Sequence, residues 1–319
     1  MKRIAVLTSG GDAPGMNAAI RAVVRKGIYL QLQVYGVYHG FAGLLERKIK
    51  LMNLGSVADI LHRGGTILKT ARCEEMLTEE GRKKAINWLK AQGIEGLIVI
   101  GGDGSFRGAQ ALAALGMPVV GIPATIDNDI SGTDLTIGFD TAVNTVVEAV
   151  SKLRDTATSH ERTFLVEVMG RNCGDIALRS GLAIGAESIL VPEITFDIQE
   201  ICEKLLRGYK RGKKHSIIIV AEGAGNIWDI ASEVEKYSGL ESRVTILGHV
   251  QRGGAPSAMD SILGATMGGK AVEAVLEGNK EAMVSFTNNE TIVKPLTEAF
   301  APKPPLRQDL YDLAGELAI

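Results

Sequence analysis

The stretch Leu97-Ile98-Val99-Ile100-Gly101-Gly102-Asp103-Gly104-Ser105 decides the fold class. Its first four residues are apolar and rich in β-branched side chains, which predicts a buried central strand of a parallel sheet. Ser105 can cap a helix through residues 106–113, which Gly116 then ends. A second apolar run at 119–122 follows, so the sequence predicts a strand, loop, helix and strand in succession.

The same alternation extends along the chain. Further runs typical of strands lie at 4–7, 34–38, 164–168, 188–191, 216–221 and 244–247. Helical patterns lie at 16–29, 141–154, 174–183, 198–209, 257–276 and 308–317. Alternating β and α elements imply parallel sheets with right-handed crossovers. We therefore expect α/β domains with mostly parallel sheets.

Composition limits the classes of function. The 319 residues suit about two domains of roughly 150 residues each. A net charge of -2 gives no bulk attraction to nucleic acid or to an anionic membrane. No stretch has the length of a membrane span, and the apolar run after Lys2 and Arg3 is too short for a signal peptide. The odd cysteines Cys73, Cys173 and Cys202 lack Cys-x-x-Cys spacing, which indicates reduced thiols in a cytoplasmic protein.

Two loops that follow predicted strands are candidates for binding phosphate. In the loop Gly101 to Ser105, Asp103 is framed by glycines at a strand end, where a carboxylate can hold a metal ion beside phosphates. The turn at 8–15 contains Gly10 and Gly11, whose missing Cβ atoms let backbone N–H groups approach phosphate ahead of a helix. That turn matches neither the dinucleotide fingerprint nor the Walker A spacing, so a tight turn with only a structural role is the alternative.

Two aspartates, Asp127 and Asp129, follow the strand at 119–122. At positions i and i+2 of an extended segment, both carboxylates point the same way. One could accept a proton from an attacking hydroxyl while the other orients the site or its metal waters. An Asx-rich turn without a catalytic role is the alternative.

The second half of the chain supplies cations at several loop positions and a carboxylate just after a predicted strand, and Arg162, Arg171 and Arg252 lie near predicted strand ends or beside glycines. The full set is Arg162, Arg171, Glu222, Arg243, His249 and Arg252. Arginine matches phosphate with two parallel hydrogen bonds, and a glutamate can accept from a sugar hydroxyl. A solvated surface charge is the alternative at each position, and a core or helix-capping role is the alternative for His249.

Five blocks taken together resemble the family of bacterial ATP-dependent 6-phosphofructokinases over essentially the whole chain. The blocks are Leu7-Thr8-Ser9-Gly10-Gly11-Asp12, Gly101-Gly102-Asp103-Gly104-Ser105, Pro123-Ala124-Thr125-Ile126-Asp127-Asn128-Asp129, Met169-Gly170-Arg171 and Gly248-His249-Val250-Gln251-Arg252-Gly253-Gly254. The second block alone also occurs in NAD kinases and diacylglycerol kinases, so it is the combination that identifies the family.

The resemblance implies a phosphotransferase with an alcohol acceptor. It would pass the γ-phosphoryl group of ATP to the 1-hydroxyl of fructose 6-phosphate, with Mg²⁺ held by Asp103, in the committed step of glycolysis. The implied ATP-binding residues are Gly11, Arg72, Cys73, Gly102, Asp103, Gly104 and Ser105. The implied catalytic residues are Asp127 as base, Thr125, Arg171 and Asp129. The implied substrate-binding residues are Thr125, Ile126, Asp127, Arg162, Met169, Gly170, Arg171, Glu222, Arg243, His249 and Arg252, with Arg162 and Arg243 reaching in from a neighbouring subunit.

The resemblance also implies a homotetramer with an effector site for ADP as activator and phosphoenolpyruvate as inhibitor. The implied effector residues are Arg21, Arg25, Arg154, Gly185, Glu187, Arg211, Lys213, Lys214 and His215. Arg21 and Arg25 are spaced i, i+4, which places them on one helix face. Without the resemblance, a solvated charged loop is the better interpretation of residues 211–215.

The family organisation predicts two Rossmann-like three-layer domains with the active site in the cleft between them. The larger, ATP-binding domain would comprise 1–138 and 251–301, and the smaller, sugar-phosphate-binding domain 139–250 and 302–319. The proline-rich segment 301–305 is the best linker by composition.

Some positions depart from the family pattern. Ala124 stands where ATP-using members have glycine and diphosphate-using members have lysine, Ser261 replaces a customary arginine, and Gly264-Ala265 replaces an Ala-Ser pair. The rival functions are a diphosphate-dependent phosphofructokinase, a NAD or lipid kinase, and a catalytically silent nucleotide sensor on the same fold. The uncharged Ala124 argues against diphosphate as donor, and Asp103, Asp127 and Arg171 argue against the sensor.

Overall fold

The computed structural model describes residues 1–303 and 305–318 and divides into two compact units. The first unit is Met1–Thr141 with Arg252–Lys303, and the second is Ala142–Gln251 with Pro304–Ile319. Pro304 of the predicted linker and Ile319 at the end of the predicted smaller domain lie outside the described residues. The family resemblance implies crossings of the chain after 138, 250 and 301. The assignment of ATP to one unit and of the sugar phosphate to the other stays a prediction.

Strands and helices alternate along most of the chain. The strands are β1 (Arg3–Thr8), β2 (Gln33–Val37), β3 (Ile49–Leu51), β4 (Gly96–Gly101), β5 (Val119–Pro123), β6 (Thr163–Val168), β7 (Ser188–Leu190), β8 (Ser216–Ala221), β9 (Ser242–Ile246), β10 (Glu281–Thr287) and β11 (Glu290–Pro295). The helices are α1 (Met16–Tyr29), α2 (Gly40–Leu45), α3 (Glu79–Ala91), α4 (Asp103–Ala113), α5 (Phe139–His160), α6 (Asp175–Ile184), α7 (Ile198–Lys210), α8 (Ile227–Ser238), α9 (Ala258–Leu276) and α10 (Gln308–Leu317).

The first unit is built on a sheet that has seven strands within the described residues, in the order β11-β10-β5-β4-β1-β2-β3. The inner strands from β10 to β2 run parallel, and the edge strands β3 and β11 pair antiparallel. Strands β1, β4 and β5 are buried almost throughout, because helices cover both faces of such a sheet. The chain therefore places the carboxyl ends of β1, β4 and β5 side by side.

Helix α9 packs closely against α1 in the first unit through glycines. A Cβ added at Gly264 would lie 2.9 Å from the Gly15 carbonyl oxygen, and one at Gly268 would lie 2.6 Å from the Ala19 carbonyl oxygen. Both distances are shorter than ordinary van der Waals contact, so only glycine fits without movement of α1. The departure of Gly264 from the family pattern thus coincides with a very close helix contact.

The second unit is built on a parallel sheet that has four strands in the described part of the chain, in the order β7-β8-β6-β9. Its core joins these strands to the apolar faces of α7 and α8. The predicted α/β class with mostly parallel sheets is confirmed in both units. The antiparallel edges β3 and β10–β11 were absent from the sequence-based prediction.

Among the described residues, no helix combines the length and apolar content that crossing a membrane requires.

Candidate functional site

Three loops converge at the carboxyl edge of the first sheet. They follow β1, β4 and β5, which pair with Thr8 opposite Ile100 and Gly101 opposite Pro123. Beyond the strands, the Ser9 N–H donates to the Ile100 carbonyl oxygen at 3.0 Å, and the Ala124 N–H donates to the Gly101 carbonyl oxygen at 3.0 Å. The two predicted phosphate loops and the aspartate loop are thus tied together, at the edge where parallel sheets bind ligands.

The glycines of these loops play different structural roles. A Cβ at Gly101 would lie 2.5 Å from both the Ser105 hydroxyl oxygen and the Ser9 carbonyl oxygen, so this glycine allows the loops to touch. Gly10 has a φ of 82°, in the left-handed region that glycine tolerates. A Cβ at Gly104, in contrast, would have nothing within 4 Å. Gly104 therefore leaves open space that a ligand can occupy.

Asp103 is the first residue of α4, and its side chain is partly exposed. Its carboxylate oxygen lies 2.9 Å from Nε of Arg107, one helical turn further on. Since both side chains are well exposed, this ion pair contributes at most about 1 kcal/mol and is easily exchanged for another cation. Within residues 1–303 and 305–318, no group of three or more His, Cys, Asp and Glu side chains is placed to hold a metal ion. A cation bound at Asp103 would therefore take its other coordinating atoms from a bound ligand or from water.

Asp127 is buried at the end of the third loop, with 2% of its surface exposed. Its N–H donates to the Thr125 hydroxyl at 3.2 Å. The next residue, Asn128, has a φ of 51°, so the segment is not extended. The prediction that the Asp127 and Asp129 carboxylates point the same way assumed an extended segment, and that assumption is wrong. Asp129 is only partly buried. The two carboxyl groups therefore lie in different environments.

Thr136 and Asn128 hold this loop, and neither was singled out in the sequence. The Asn128 side-chain oxygen accepts from the Thr136 N–H at 3.0 Å, and the Thr136 hydroxyl donates to the Thr125 carbonyl oxygen at 2.7 Å. These bonds fix the turn that carries Asp127. Asn is one of the residue types that tolerates positive φ, which was the only local signal.

The other residues predicted for the first unit lie in different environments. Arg252 donates from Nη1 to the Asp12 carbonyl oxygen at 3.3 Å and covers Gly11, where an added Cβ would lie 2.5 Å from that nitrogen. Ile126 is buried, Arg72 is exposed, and Cys73 packs against the main core of the unit. The structure thus gathers Gly11, Gly102 to Ser105, Thr125 to Asp127 and Arg252, and Arg72 and Cys73 have no described contact with them.

In the second unit, predicted substrate residues follow three neighbouring strands at the carboxyl edge. Met169, Gly170 and Arg171 follow β6, Glu222 follows β8, and His249 follows β9. One carboxylate oxygen of Glu222 accepts from the N–H groups of Gly170 at 3.2 Å and Arg171 at 2.7 Å. Burial raises the pKa of Glu167, and the charge of Glu222 raises it further. This edge therefore combines backbone donors, an arginine and carboxylates.

Arg162 and Arg243 lie at the opposite, amino edge of that sheet. Nε of Arg162 donates to Glu241 at 3.0 Å, and Nη2 of Arg243 donates to the other oxygen of the same carboxylate. The hydrogen bond from Arg162 and the charges of both arginines lower the pKa of Glu241. The sequence placed Arg162 near a strand end, and the structure adds that it is the end remote from Met169 and Glu222.

The residues predicted for effector binding in the second unit also lie toward the amino ends of strands. Nη2 of Arg154 donates to the Ile184 carbonyl oxygen at 2.5 Å, beside Gly185. Glu187, just before β7, is buried and pairs with Lys213, just before β8. Arg211, Lys214 and His215 belong to the same loop as Lys213, and Lys214 lies 3.9 Å from the Tyr209 ring centre. The structure therefore gathers this part of the set, while Arg21 and Arg25 lie one turn apart on α1 of the first unit.

Comparison with known proteins gives consistent results. The family model described as "Phosphofructokinase" matches residues 3–275. An ATP-dependent 6-phosphofructokinase of Halalkalibacterium halodurans is 60% identical over 319 residues, covering 100% of both chains. A solved phosphofructokinase of Saccharomyces cerevisiae superposes with a TM-score of 0.91 at 39% identity, over 100% of this chain and 48% of that one. A pyrophosphate-dependent phosphofructokinase of Marinobacter aquaeolei has a TM-score of 0.85 at 23% identity, over 100% of this chain and 92% of that one, which indicates a shared fold.

Proposed function

Because this chain belongs to the phosphofructokinase family, we propose that it is an ATP-dependent 6-phosphofructokinase. The γ-phosphoryl group of ATP passes to the 1-hydroxyl of fructose 6-phosphate, giving fructose 1,6-bisphosphate and ADP in the committed step of glycolysis. The observation that carries the proposal is the convergence of two glycine loops and the buried Asp127 at one sheet edge, in a chain 60% identical over its full length to an enzyme of that name.

The nucleotide binds to the glycine loops of the first unit in this proposal. The backbone of Gly11 and of Gly102 to Ser105 faces the phosphates, at the start of α4 where the helix dipole favours anions. The open space at Gly104 supports close approach of a ligand. Arg72 and Cys73 line the remainder of the nucleotide site.

The residues present fit a magnesium ion at Asp103. Its carboxylate is a hard oxygen ligand, it is partly exposed, and its present partner Arg107 is held by a weak surface ion pair. When bound with ATP, Mg²⁺ would neutralise charge on the phosphate oxygens. Asp103 would hold the ion at the start of α4.

Asp127 is proposed as the base that accepts the proton of the sugar 1-hydroxyl. Its burial keeps bulk water away from the carboxylate at which the proton would be accepted. Thr125, which is hydrogen-bonded to the Asp127 backbone, and Arg171 stabilise the phosphoryl group in transfer, and Asp129 orients the site. Positioning and charge neutralisation supply most of the rate enhancement in such reactions.

The sugar phosphate is proposed to bind the residues that the family resemblance implies. They are Ile126, Met169, Gly170, Arg171, Glu222, His249 and Arg252, with Thr125 and Asp127 at the reacting hydroxyl. In the second unit, the convergence of the Met169 to Arg171 loop and Glu222 supports this assignment.

Arg162 and Arg243 are proposed to act on the sugar phosphate of a neighbouring subunit. Strand β6 separates them from Met169 by six residues, which at about 3.3 Å per residue is roughly 20 Å, too far for a side chain of the same sheet. We therefore propose that the two arginines complete the active site of a neighbouring subunit, in a homotetramer.

Mixing two inactive variants tests this arrangement. Hybrid tetramers of Asp127→Asn and Arg162→Ala/Arg243→Ala subunits contain sites with every proposed group intact, so activity should return on mixing and reassembly. If the hybrids stay as inactive as their parents, the arginines do not act across subunits.

The effector residues are proposed to bind ADP as an activator and phosphoenolpyruvate as an inhibitor. The set is Arg21, Arg25, Arg154, Gly185, Glu187, Arg211, Lys213, Lys214 and His215. Clustering of Arg154, Glu187 and Lys213 in the second unit supports part of this site. Such ligands would act by preferring different quaternary states.

We also propose a cytoplasmic location, which the free cysteines Cys73, Cys173 and Cys202 support.

An assay with fructose 6-phosphate and Mg²⁺, offering ATP or diphosphate in parallel, tests the activity. We expect the bisphosphate to form with ATP and not with diphosphate, because Ala124 brings no cation to the loop and the diphosphate-dependent relative is only 23% identical. Activity only with diphosphate would reverse the donor assignment, and activity with neither would favour a silent nucleotide sensor.

A further inference from the structure

The side chain of Gln251 joins two loops of the second unit. It has 0% of its surface exposed. Its Oε1 accepts from the Met169 N–H at 3.2 Å, and its Nε2 donates to the Gly248 carbonyl oxygen at 2.9 Å. One buried amide thus links the loop after β6 to the turn that carries His249.

The position of this link follows from how the two strands end. Strands β6 and β9 pair as far as Glu167 and Ile246, and the last backbone bond joins the Leu247 N–H to the Glu167 carbonyl oxygen at 3.1 Å. Beyond it the backbones no longer pair with each other. The Gln251 amide supplies the next connection, with one acceptor and one donor in place of a backbone peptide group.

The loops that it joins need such support. Arg171 has a φ of 54°, a conformation that costs a non-glycine residue about 1–2 kcal/mol and persists where its surroundings hold it. Gly170 and Gly248 also have positive φ, so neither loop is a regular continuation of its strand. The Met169 N–H and the Gly248 carbonyl group would each lose a buried partner without the amide.

We propose that Gln251 is a positioning residue for the sugar phosphate: its amide sets the spacing between Met169 to Arg171 and His249. The inference rests on the function proposed above. It makes Gln251 act through backbone groups and without touching substrate. Loss of the amide should therefore weaken the productive binding of the sugar phosphate and leave ATP binding nearly unchanged.

Replacement of the amide by an apolar side chain of similar length tests the proposal. For Gln251→Met we expect kcat/KM for fructose 6-phosphate to fall about ten-fold or more, while KM for ATP changes less than about two-fold, because small misplacements of binding groups have large effects. Ser180→Ala is the matched control. Its hydroxyl is also fully buried and bonds the Ile176 carbonyl oxygen at 2.6 Å within α6, so it removes a buried hydrogen bond away from these loops and should leave both constants unchanged.

A second variant tests the role inside the folded enzyme. In Gln251→Glu an ionised side chain cannot donate to the Gly248 carbonyl oxygen, whereas the protonated form can. Because burial raises the pKa of such a carboxyl group, KM for fructose 6-phosphate should fall toward the parent value as the pH is lowered from about 9 to 6. Neither the parent enzyme nor Ser180→Ala should show this trend.

These measurements distinguish failure of the proposed function from failure of the positioning role of Gln251. If the parent enzyme has no phosphofructokinase activity, the proposed function fails. If the parent is active but Gln251→Met raises KM for ATP and for fructose 6-phosphate equally, or Gln251→Glu shows no additional pH dependence, the positioning role is overturned. If Gln251→Met does not fold, the pH profile of Gln251→Glu decides.

Discussion

The carboxylate of Asp260 accepts both the backbone N–H and the hydroxyl of Thr141, at 2.7 and 2.6 Å, through one of its oxygens. Its other oxygen accepts from the Gly138 N–H at 2.8 Å. Asp260 itself belongs to the first turn of α9 and is buried. This single carboxylate therefore fixes the backbone at the start of α5, where the chain leaves the first unit.

Asp260→Asn should destabilise the protein, because an amide offers one acceptor oxygen where the carboxylate uses two. We expect a loss of about 1–3 kcal/mol in the free energy of unfolding. Burial raises the pKa of Asp260 in the folded protein, against the opposing effect of its hydrogen bonds. Because the folded pKa is raised, protonation of Asp260 stabilises the parent protein, and this stabilisation is complete below the unfolded pKa of about 3.9. It is lost as the pH rises through the folded pKa. The difference in the free energy of unfolding between parent and variant, which is the deficit of the variant, should therefore narrow over that range.

Thermal unfolding of both proteins from pH 4 to pH 8 measures this deficit. Asp155→Asn, an exposed change on α5, is the control and should unfold like the parent. A deficit that widens with rising pH would contradict the raised pKa of Asp260.

Gly268→Ala should lower stability, because the added Cβ would lie 2.6 Å from the Ala19 carbonyl oxygen and 2.7 Å from the Ala22 Cβ. Overpacking of this kind typically costs about 1–3 kcal/mol. Gly269→Ala is the neighbouring control, since its Cβ would meet nothing within 4 Å and alanine favours a helix by about 1 kcal/mol. Differential scanning calorimetry should place the two variants on opposite sides of the parent, and equal transitions would show that α1 moves to accept the methyl group.

Gly104→Ala should raise KM for ATP and leave the fold intact. The added methyl group has no neighbour within 4 Å in the chain, but it fills the space proposed for the nucleotide. We expect a rise of about ten-fold or more in KM for ATP with a melting temperature at or above that of the parent, since the methyl group blocks the nucleotide, does not strain α4 and favours the helix. Unchanged KM for ATP would place the nucleotide elsewhere.

Asp127→Asn should lower kcat far more than it changes either KM. Loss of a general base reduces the rate by about 10² to 10⁴, while an isosteric amide preserves the packing of this buried position. Steady-state kinetics with both substrates measures the effect. Asp129→Asn provides the comparison, and a larger loss of kcat there would exchange the roles of the two carboxyl groups.

Arg25→Ala should abolish both the activation by ADP and the inhibition by phosphoenolpyruvate, since one cation is proposed to contact the phosphate of each. Lys26→Ala is the control on the same helix, because Lys26 already pairs with Glu273 at 2.7 Å. Initial rates at subsaturating fructose 6-phosphate, with each effector titrated, distinguish the two. Effector responses that survive in Arg25→Ala would remove α1 from the effector site.

The success of sequence-based prediction varied with how local its signal was. Strands β1, β4 and β5 were predictable because each is a short buried apolar run, and a glycine or proline lies at its end or within two residues of it. The β10–β11 hairpin was missed because β11 is partly exposed along its length and the turn, Asn288-Asn289, lacks the usual glycine. The orientation of Asp127 depended on a bond between Asn128 and Thr136, eight residues apart, for which neighbouring residues give no signal. Gln251 stood inside a recognised block, but only the folded chain reveals that both ends of its amide are engaged.

The two edges of the second sheet are separated by the full length of β8. Residues 211–215 enter β8 at one end, and Glu222 leaves it at the other, with six buried residues of β8 between them. A paired strand transmits little of a change in one terminal loop to the other, because its backbone hydrogen bonds fix every residue along the way. A ligand bound at 211–215 would therefore act on the edge at Met169 and Glu222 through a rearrangement of subunits, as proposed for the effectors, and not by deforming β8.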